Sequence, residues 1–298
     1  MKTVAINNGY YQYKSMDKHM FKARIKKCLC NEAQSNCDIL TIDEQSYIIG
    51  EGDFCIDNDK TSNENNKILI LNMLAKFIDS DKEKETFNVY LCTPPSLYKN
   101  QSEALPSYLK GTYKIVANDK PIEITINNVQ VFPESFIIYL NYQEKYKNKN
   151  LIIFDIGGHT TNIVLIKKGV FTNEDYITIG NGMYHIDDKI CQYLNGKHLD
   201  TTFNIDDIQY LRDIGDNLLT AEEPELFKIY DDYVSELVNA MQLKQWNIKY
   251  YEKLCTGGGS KILYENMENV FDRIELSIEP LFDNVKALEK LASKKVKK

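Results

Sequence analysis

Residues 151–171 read LIIFDIGGHTTNIVLIKKGVF. Leu151, Ile152, Ile153 and Phe154 form an apolar run with the length and character of a buried strand. Asp155, Gly157, Gly158 and the hydroxyls of Thr160 and Thr161 follow. A second apolar run, 163–166, then returns toward a turn at Gly169. The pattern predicts a β-hairpin whose bend carries one carboxylate and two glycines. Glycines at such a bend let backbone N–H groups close around an anion, because no Cβ holds the ligand away. An ordinary hairpin that uses glycine only to turn has the same local pattern, so the decision rests on the rest of the chain.

The whole sequence has 298 residues, 43% hydrophobic and 27% charged, the make-up of a folded protein with one large or two smaller domains. A net charge of −7 removes any general attraction to nucleic acid, so contact with DNA is expected only locally or through a partner. No apolar run approaches membrane-spanning length and the first residues lack the shape of a signal peptide, so no membrane contact is expected. Seven cysteines then read as reduced thiols in a cytoplasmic protein. Cys28, Cys30 and Cys37 lie close together but lack the knuckle spacing and histidine pair of a zinc site, which favours structural thiols.

The N-terminus repeats the plan of the hairpin. Residues 3–6 form a short apolar strand ending in Asn7-Asn8-Gly9, and residues 10–14 alternate as a returning strand, with Tyr11 and Tyr13 on one face. Two such hairpins, one opening each half of the chain, suggest a duplicated α/β domain. Between them the sequence predicts strands over 21–29 and 39–50 forming a small sheet, a polar loop over 57–66, and a helix over 67–78. That helix would bury Ile70, Leu71, Leu74, Phe77 and Ile78 on one face. A buried strand over 87–92 stops at Thr93-Pro94-Pro95, a helix covers 101–109, and a hairpin over 111–131 turns near Asn118-Asp119. Pro133-Glu134-Ser135 then opens a helix running to about Tyr146. In the second half a strand over 176–179 precedes Gly180-Asn181-Gly182, which opens a helix over 183–193. The stretch 204–250 is mostly helical, with Val234, Leu237, Val238, Met241 and Leu243 as a buried stripe. A third glycine turn, Gly257-Gly258-Gly259, follows the strand at Leu254 and leads into a helix. A helix over 284–291 and a basic tail, 293–298, close the chain. Such a tail reads as a solvated end before it reads as a contact for DNA or an acidic partner.

Three glycine turns thus follow three apolar strands. Two would cradle phosphates from opposite sides, and the third would lie flat under a base and sugar. Glu134, after a proline, would orient a water for attack on a terminal phosphate. Asp155 would hold Mg²⁺ through water, since Mg²⁺ keeps much of its hydration. These are the parts of a nucleotide-hydrolysing cleft.

At this point the chain resembles the actin, Hsp70 and sugar-kinase superfamily. Ile6-Asn7-Asn8-Gly9 with Lys14 is similar to its first phosphate loop, residues 155–161 to the second, and Thr256-Gly257-Gly258-Gly259 to its adenosine motif. Pro133-Glu134-Ser135, residues 93–98 (TPPSLY), Ile49-Gly50-Glu51-Gly52 and the overall length are most similar to the plasmid-segregating bacterial actins of the ParM type. The resemblance implies an α/β, two-lobed, actin-like fold, a duplicated ribonuclease H-like plan with small inserted subdomains. Lobe I would cover 1–147 with a subdomain about 37–66. Lobe II would cover 148–279 with a helical subdomain about 184–253, and a C-terminal helix over 280–298 would return to lobe I. It implies ATP or GTP with Mg²⁺, Glu134 and Asp155 as catalytic carboxylates, and nucleotide contacts from Asn8, Gly9, Tyr10, Tyr11, Lys14, Gly157, Gly158, His159, Thr160, Gly182, Gly257, Gly258 and Gly259. Asp155 through water, and weakly Asn7, would serve the metal.

The chain departs from the family at three places. Asn7 stands where the first loop normally has aspartate, Tyr10 and Tyr11 stand where small hydroxyl residues are usual, and Asn162 replaces an aspartate that often ends the second loop. Backbone N–H groups do most of the phosphate work, so binding survives these changes more readily than metal affinity or turnover. His159 reads equally as a phosphate contact or a surface histidine, Lys14 as a β-phosphate ligand or a solvated strand residue, and Gly182 as a ribose neighbour or a helix start. The leading function is a filament-forming, nucleotide-dependent ATPase that moves plasmid or other DNA through a DNA-binding adaptor, with no direct specific DNA binding. The alternatives are a small-molecule kinase of the same fold, for which no substrate-facing aspartate stands out, and a nucleotide-binding structural protein with weak hydrolysis.

Overall fold

The computed structural model describes every residue except 29–36, 56–58, 173, 199, 216–218, 220–223, 247 and 297–298. Cys30 lies outside the described residues. The chain divides into two units, Met1–Lys145 with Phe282–Lys298, and Tyr146–Leu281.

The first unit is built on β1 (Lys2–Asn8), β2 (Gln12–Lys14), β3 (Met20–Lys22), β4 (Arg24–Cys28), β5 (Ile39–Ile42), β6 (Gln45–Ile49) and β7 (Asp53–Phe54), then α1 (Glu64–Ala75), β8 (Lys84–Thr93), α2 (Pro95–Leu109), β9 (Gly111–Ala117), β10 (Lys120–Pro133) and α3 (Tyr139–Tyr146). The second contains β11 (Asn150–Ile156), β12 (Thr161–Lys167), β13 (Tyr176–Ile179), α4 (Met183–Lys197), α5 (Ile205–Asp213), α6 (Pro224–Leu243), β14 (Glu252–Thr256), α7 (Ser260–Glu268) and β15 (Ile274–Leu276). The closing helix, α8 (Asp283–Val296), belongs to the first unit.

The duplication expected from the two glycine hairpins is visible in the strand order. In the first unit β3-β2-β1 form an antiparallel meander and β1, β8 and β10 run parallel. In the second, β13-β12-β11 form the meander and β11, β14 and β15 run parallel. Each hairpin therefore turns at the end of a central strand, where α/β sheets place ligands. Alternate residues of each central strand feed opposite layers. Val4 and Ile6 pack with Ile68, Leu71 and Leu105 from α1 and α2, whereas Ala5 packs with Val285 and Leu288 from α8. In the second unit Ile152, Phe154 and Ile156 meet Ile186 of α4, Val234 of α6 and Leu263 of α7.

Several local expectations are corrected. The strands between the N-terminal hairpin and α1 do not form a separate small sheet. β5 pairs with β9 through Leu40–Ala117 and Thr41–Val116, making one ten-stranded sheet. Helix α1 starts three residues early because the Asn63 side chain caps the Asn66 N–H, and it ends at Ala75, before Phe77 and Ile78. It is buried all round, with Ile68 to Leu74 all inside, so no single-face pattern could mark it. Helix α2 begins at Pro95, a residue well suited to a first helical position. The Asn118-Asp119 turn has both residues at positive φ, the two-residue hairpin geometry that matches strand twist.

Pro133 does not open a helix. It is the last residue of β10, paired in parallel with Thr93, and α3 begins only at Tyr139 after overlapping turns closed by i→i+3 hydrogen bonds. Leu243 is 86% exposed at the end of α6, while Tyr233 takes a place in the buried stripe with Val234, Leu237 and Met241. The basic tail is largely helical, since α8 runs to Val296. Among the described residues no helix is long and apolar enough to cross a membrane.

Candidate functional site

In the first unit the turn after β1 is held tightly from beneath. Asn8 is wholly buried, and its side-chain oxygen accepts the Cys92 N–H at 3.3 Å. Its side chain is thus part of the core, leaving only its backbone at the turn. Tyr10 is also buried, with the Lys60 ammonium 4.2 Å from its ring centroid, and Tyr11 stacks on Phe54 at 5.1 Å. The two tyrosines at the positions of small hydroxyl residues therefore anchor the turn by their rings. Lys14 is half-buried on β2, directly across from Asn7.

Glu134 follows β10 directly and is 8% exposed. Its N–H donates to the Thr93 carbonyl at 2.8 Å, and the next N–H, of Ser135, donates to the Asn284 side chain of α8 at 3.0 Å. Ser135 has φ 64°, so the chain bends sharply just beyond the carboxylate. The Cys92 thiol lies 3.8 Å from Glu134 Oε1 and 3.6 Å from Asn7 Oδ1, bringing the three side chains together. Lys60 completes the group. It is 3% exposed, and burial pushes its ammonium down in pKa while the Glu134 charge acts in the opposite sense. Cys92 and Lys60 were missed from sequence. Lys60 lies in a polar loop, and nothing local marks it as the member of that loop that turns inward.

In the second unit Asp155 pairs with Asn162 across the hairpin and with Thr256 on β14, and is 6% exposed. The Gly157 N–H donates to the Thr160 carbonyl at 2.9 Å, closing the bend. The carbonyls of Gly157 and Gly158 both face the start of α4, accepting from the N–H groups of Met183 and Tyr184 at 3.0 and 2.7 Å. A trans peptide places its N–H opposite its carbonyl. The N–H groups of Gly158 and His159 therefore point away from α4, side by side, the arrangement of an anion-binding nest. His159 is half-buried, and desolvation lowers its pKa, favouring the neutral ring. Thr160 is partly exposed in the bend, whereas Thr161 is buried and hydrogen-bonded to the Tyr233 hydroxyl, which itself donates to the Asn181 carbonyl at 2.8 Å.

Gly182 lies against this bend. A Cβ there would sit 2.6 and 2.7 Å from the carbonyl oxygens of Gly157 and Gly158. Its requirement for glycine is thus close packing against the bend. The third turn divides in the same way. Gly257 has φ +86°, and a Cβ on Gly259 would collide with Met183 and Ile156, so both are required by packing. Gly258 is exposed, and an added Cβ would meet only Leu281 at an ordinary 3.4 Å. Gly258 alone offers an open face.

Among the described residues no three metal-ligating side chains gather. Mg²⁺ bound chiefly by phosphate oxygens and water needs only one or two carboxylates, and the single carboxylate at the second turn, Asp155, fits that mode. Asn7 has no charge to contribute.

Residues 5–136 match the family model described as the N-terminal domain of actin-like proteins. Among solved structures, a non-polymerisable quadruple mutant of the pCBH ParM is 21% identical, with 99% of this chain and 100% of that chain covered and a TM-score of 0.78. A 15-stranded ParM filament from Clostridium botulinum is also 21% identical, with 98% and 99% covered and a TM-score of 0.77. An archaeal actin homologue in complex with ADP is 14% identical, with 99% and 100% covered and a TM-score of 0.81. The curated proteins contain no match. The chain has the actin-like fold, close to that of ParM-type proteins.

Proposed function

We propose that this protein is a nucleotide-dependent, filament-forming actin-like ATPase. The observation that carries the reading is the second turn, where the Gly157 and Gly158 carbonyls accept from the N–H groups that open α4, so that the N–H groups of the same two peptides are directed to the opposite side, next to Asp155 in the chain. The ADP complex of the archaeal homologue and the ParM filament among its structural neighbours support nucleotide binding and self-assembly.

In this reading ATP or GTP is the substrate. The second turn and the backbone of Gly9 with Lys14 hold phosphates, while Gly258 provides the open surface for the nucleoside. Asp155 would hold Mg²⁺ through water, and the ion would supply charge neutralisation on the phosphates. Glu134 orients the attacking water in line with the terminal phosphorus. The water oxygen forms the new P–O bond as the bond to the diphosphate oxygen breaks, and the water proton passes to Glu134 or a phosphate oxygen. Assembly with nucleotide bound, followed by hydrolysis, would move plasmid or other DNA through a DNA-binding adaptor in the cytoplasm. Asn7, neutral where the family has aspartate, favours a slow hydrolytic step as the second reading. Electron microscopy with ATP, GTP or no nucleotide, alongside phosphate release, tests both. Filaments with release support the first reading, filaments without release the second, and neither filaments nor release overturns both.

A further inference from the structure

The ammonium of Lys60 donates to the backbone carbonyl of Asn8 at 2.5 Å and lies over the Tyr10 ring. Removing a cation from water costs several kcal/mol unless it is paired, so a lysine that is 3% exposed needs a specific reason to be there. Its backbone is fixed as deliberately as its side chain. The Asp59 carboxylate accepts from the Thr61 N–H and the Ser62 hydroxyl, each at 2.9 Å, shaping the loop on one side. On the other, Asn66 Nδ2 donates to the Lys60 carbonyl at 3.1 Å, and the Tyr13 hydroxyl donates to Asn66 Oδ1 at 2.5 Å. The strand that leaves the first turn thus holds the Lys60 backbone, and the Lys60 side chain holds the strand that enters it.

A trans peptide is one rigid plane. Drawing the Asn8 carbonyl inward fixes the Asn8–Gly9 plane, puts the Gly9 N–H on the opposite side, and sets the direction in which residues 9–11 turn. We infer that Lys60 is a positioning residue for the first turn, holding the Asn8–Gly9 peptide in the orientation that gathers the backbone donors of Gly9, Tyr10 and Tyr11 around a phosphate oxygen. The inference rests on the proposed phosphate role of that turn. The titratable side chains that act electrostatically on Lys60 are Glu134 and the Cys92 thiol, whereas the hydrogen bond that its ammonium donates goes to the Asn8 carbonyl.

The test is amide NMR of the full chain titrated with ADP and Mg²⁺, comparing wild type, Lys60→Met and Lys60→Arg. In wild type the amides of residues 9–11 and 157–159 should both move. In Lys60→Met those of 157–159 should still move while those of 9–11 stay still, and ADP affinity should fall at least about tenfold. Lys60→Arg, which keeps a cationic donor, should restore both. Wild-type behaviour in Lys60→Met, or an equal loss in Lys60→Arg, overturns the inference and leaves the proposed function standing. Silence of residues 9–11 in wild type overturns the phosphate role of that turn and the inference with it. If Lys60→Met does not fold by circular dichroism, Lys60→Gln replaces it. A partial loss confined to the first turn is then expected, and an unchanged first turn refutes the idea.

Discussion

The Tyr184 N–H donates to the carbonyl oxygen of Gly158 at 2.7 Å. With the matching bond from Met183 to Gly157, it commits the first donors of α4 to the bend, so the positive end of this helix acts on the turn.

Gly182 makes that contact possible, because a Cβ would stand within 2.7 Å of both carbonyls. Gly182→Ala should push α4 off the bend, costing about 1–3 kcal/mol of stability and weakening nucleotide binding together. Thermal unfolding and ADP titration check this, and an unchanged affinity in the folded variant would show that the bend keeps its shape without α4.

Asp155→Ala should weaken Mg²⁺-dependent nucleotide binding or turnover by about tenfold, while Mg²⁺-free ADP binding changes little. Titrating Mg²⁺ at fixed ADP distinguishes the two. Identical Mg²⁺ curves for variant and wild type would remove Asp155 from the metal's surroundings.

Glu134 sits at the end of a strand, so the helix-dipole explanation for a carboxylate at a helix start no longer applies. Glu134→Ala should retain nucleotide binding and assembly, lose about 10²–10⁴-fold in phosphate release, and give filaments that outlast those of wild type. Phosphate release and light scattering recorded together decide it. Hydrolysis at the wild-type rate would refute the role.

The three glycines of the third turn should respond differently. Gly258→Val should preserve the circular dichroism spectrum and abolish nucleotide binding, since its face is open. Gly259→Val should instead destabilise the fold by about 1–3 kcal/mol, because Met183 and Ile156 fill the space. Normal ATP affinity in folded Gly258→Val would make the turn purely structural.

Burial lowers the His159 pKa below its ordinary value, so in the absence of ligand the neutral ring is favoured in the folded state. The unfolded chain then binds more protons between the two pKa values. The His159 contribution to stability is present above the unfolded value and is lost as pH falls through the folded one. A phosphate bound at the adjacent N–H groups should raise this pKa, read by NMR titration of the ring with and without ADP. No shift on saturation would place the phosphate elsewhere.

The fold class was legible because it rests on short-range rules. An apolar run such as 151–154, a glycine bend and a second apolar run determine a hairpin within about twenty residues, and its recurrence at 3–14 determined the duplicated plan. Tertiary structure decided what each turn residue does. Lys60 meets Asn8 across 52 positions, and Cys92 meets Glu134 across 42. Leu40 finds Ala117 only because β9 presents a free edge to β5. Helix α1 carried no amphipathic stripe because it is enclosed on every side, and Pro133 looked like a helix start because its neighbours do not reveal that β8 holds it in a strand. Residue type and periodicity constrain the backbone locally. Which buried polar groups meet depends on sheet register and on the desolvation cost of leaving any of them unpaired, and these are properties of the folded chain.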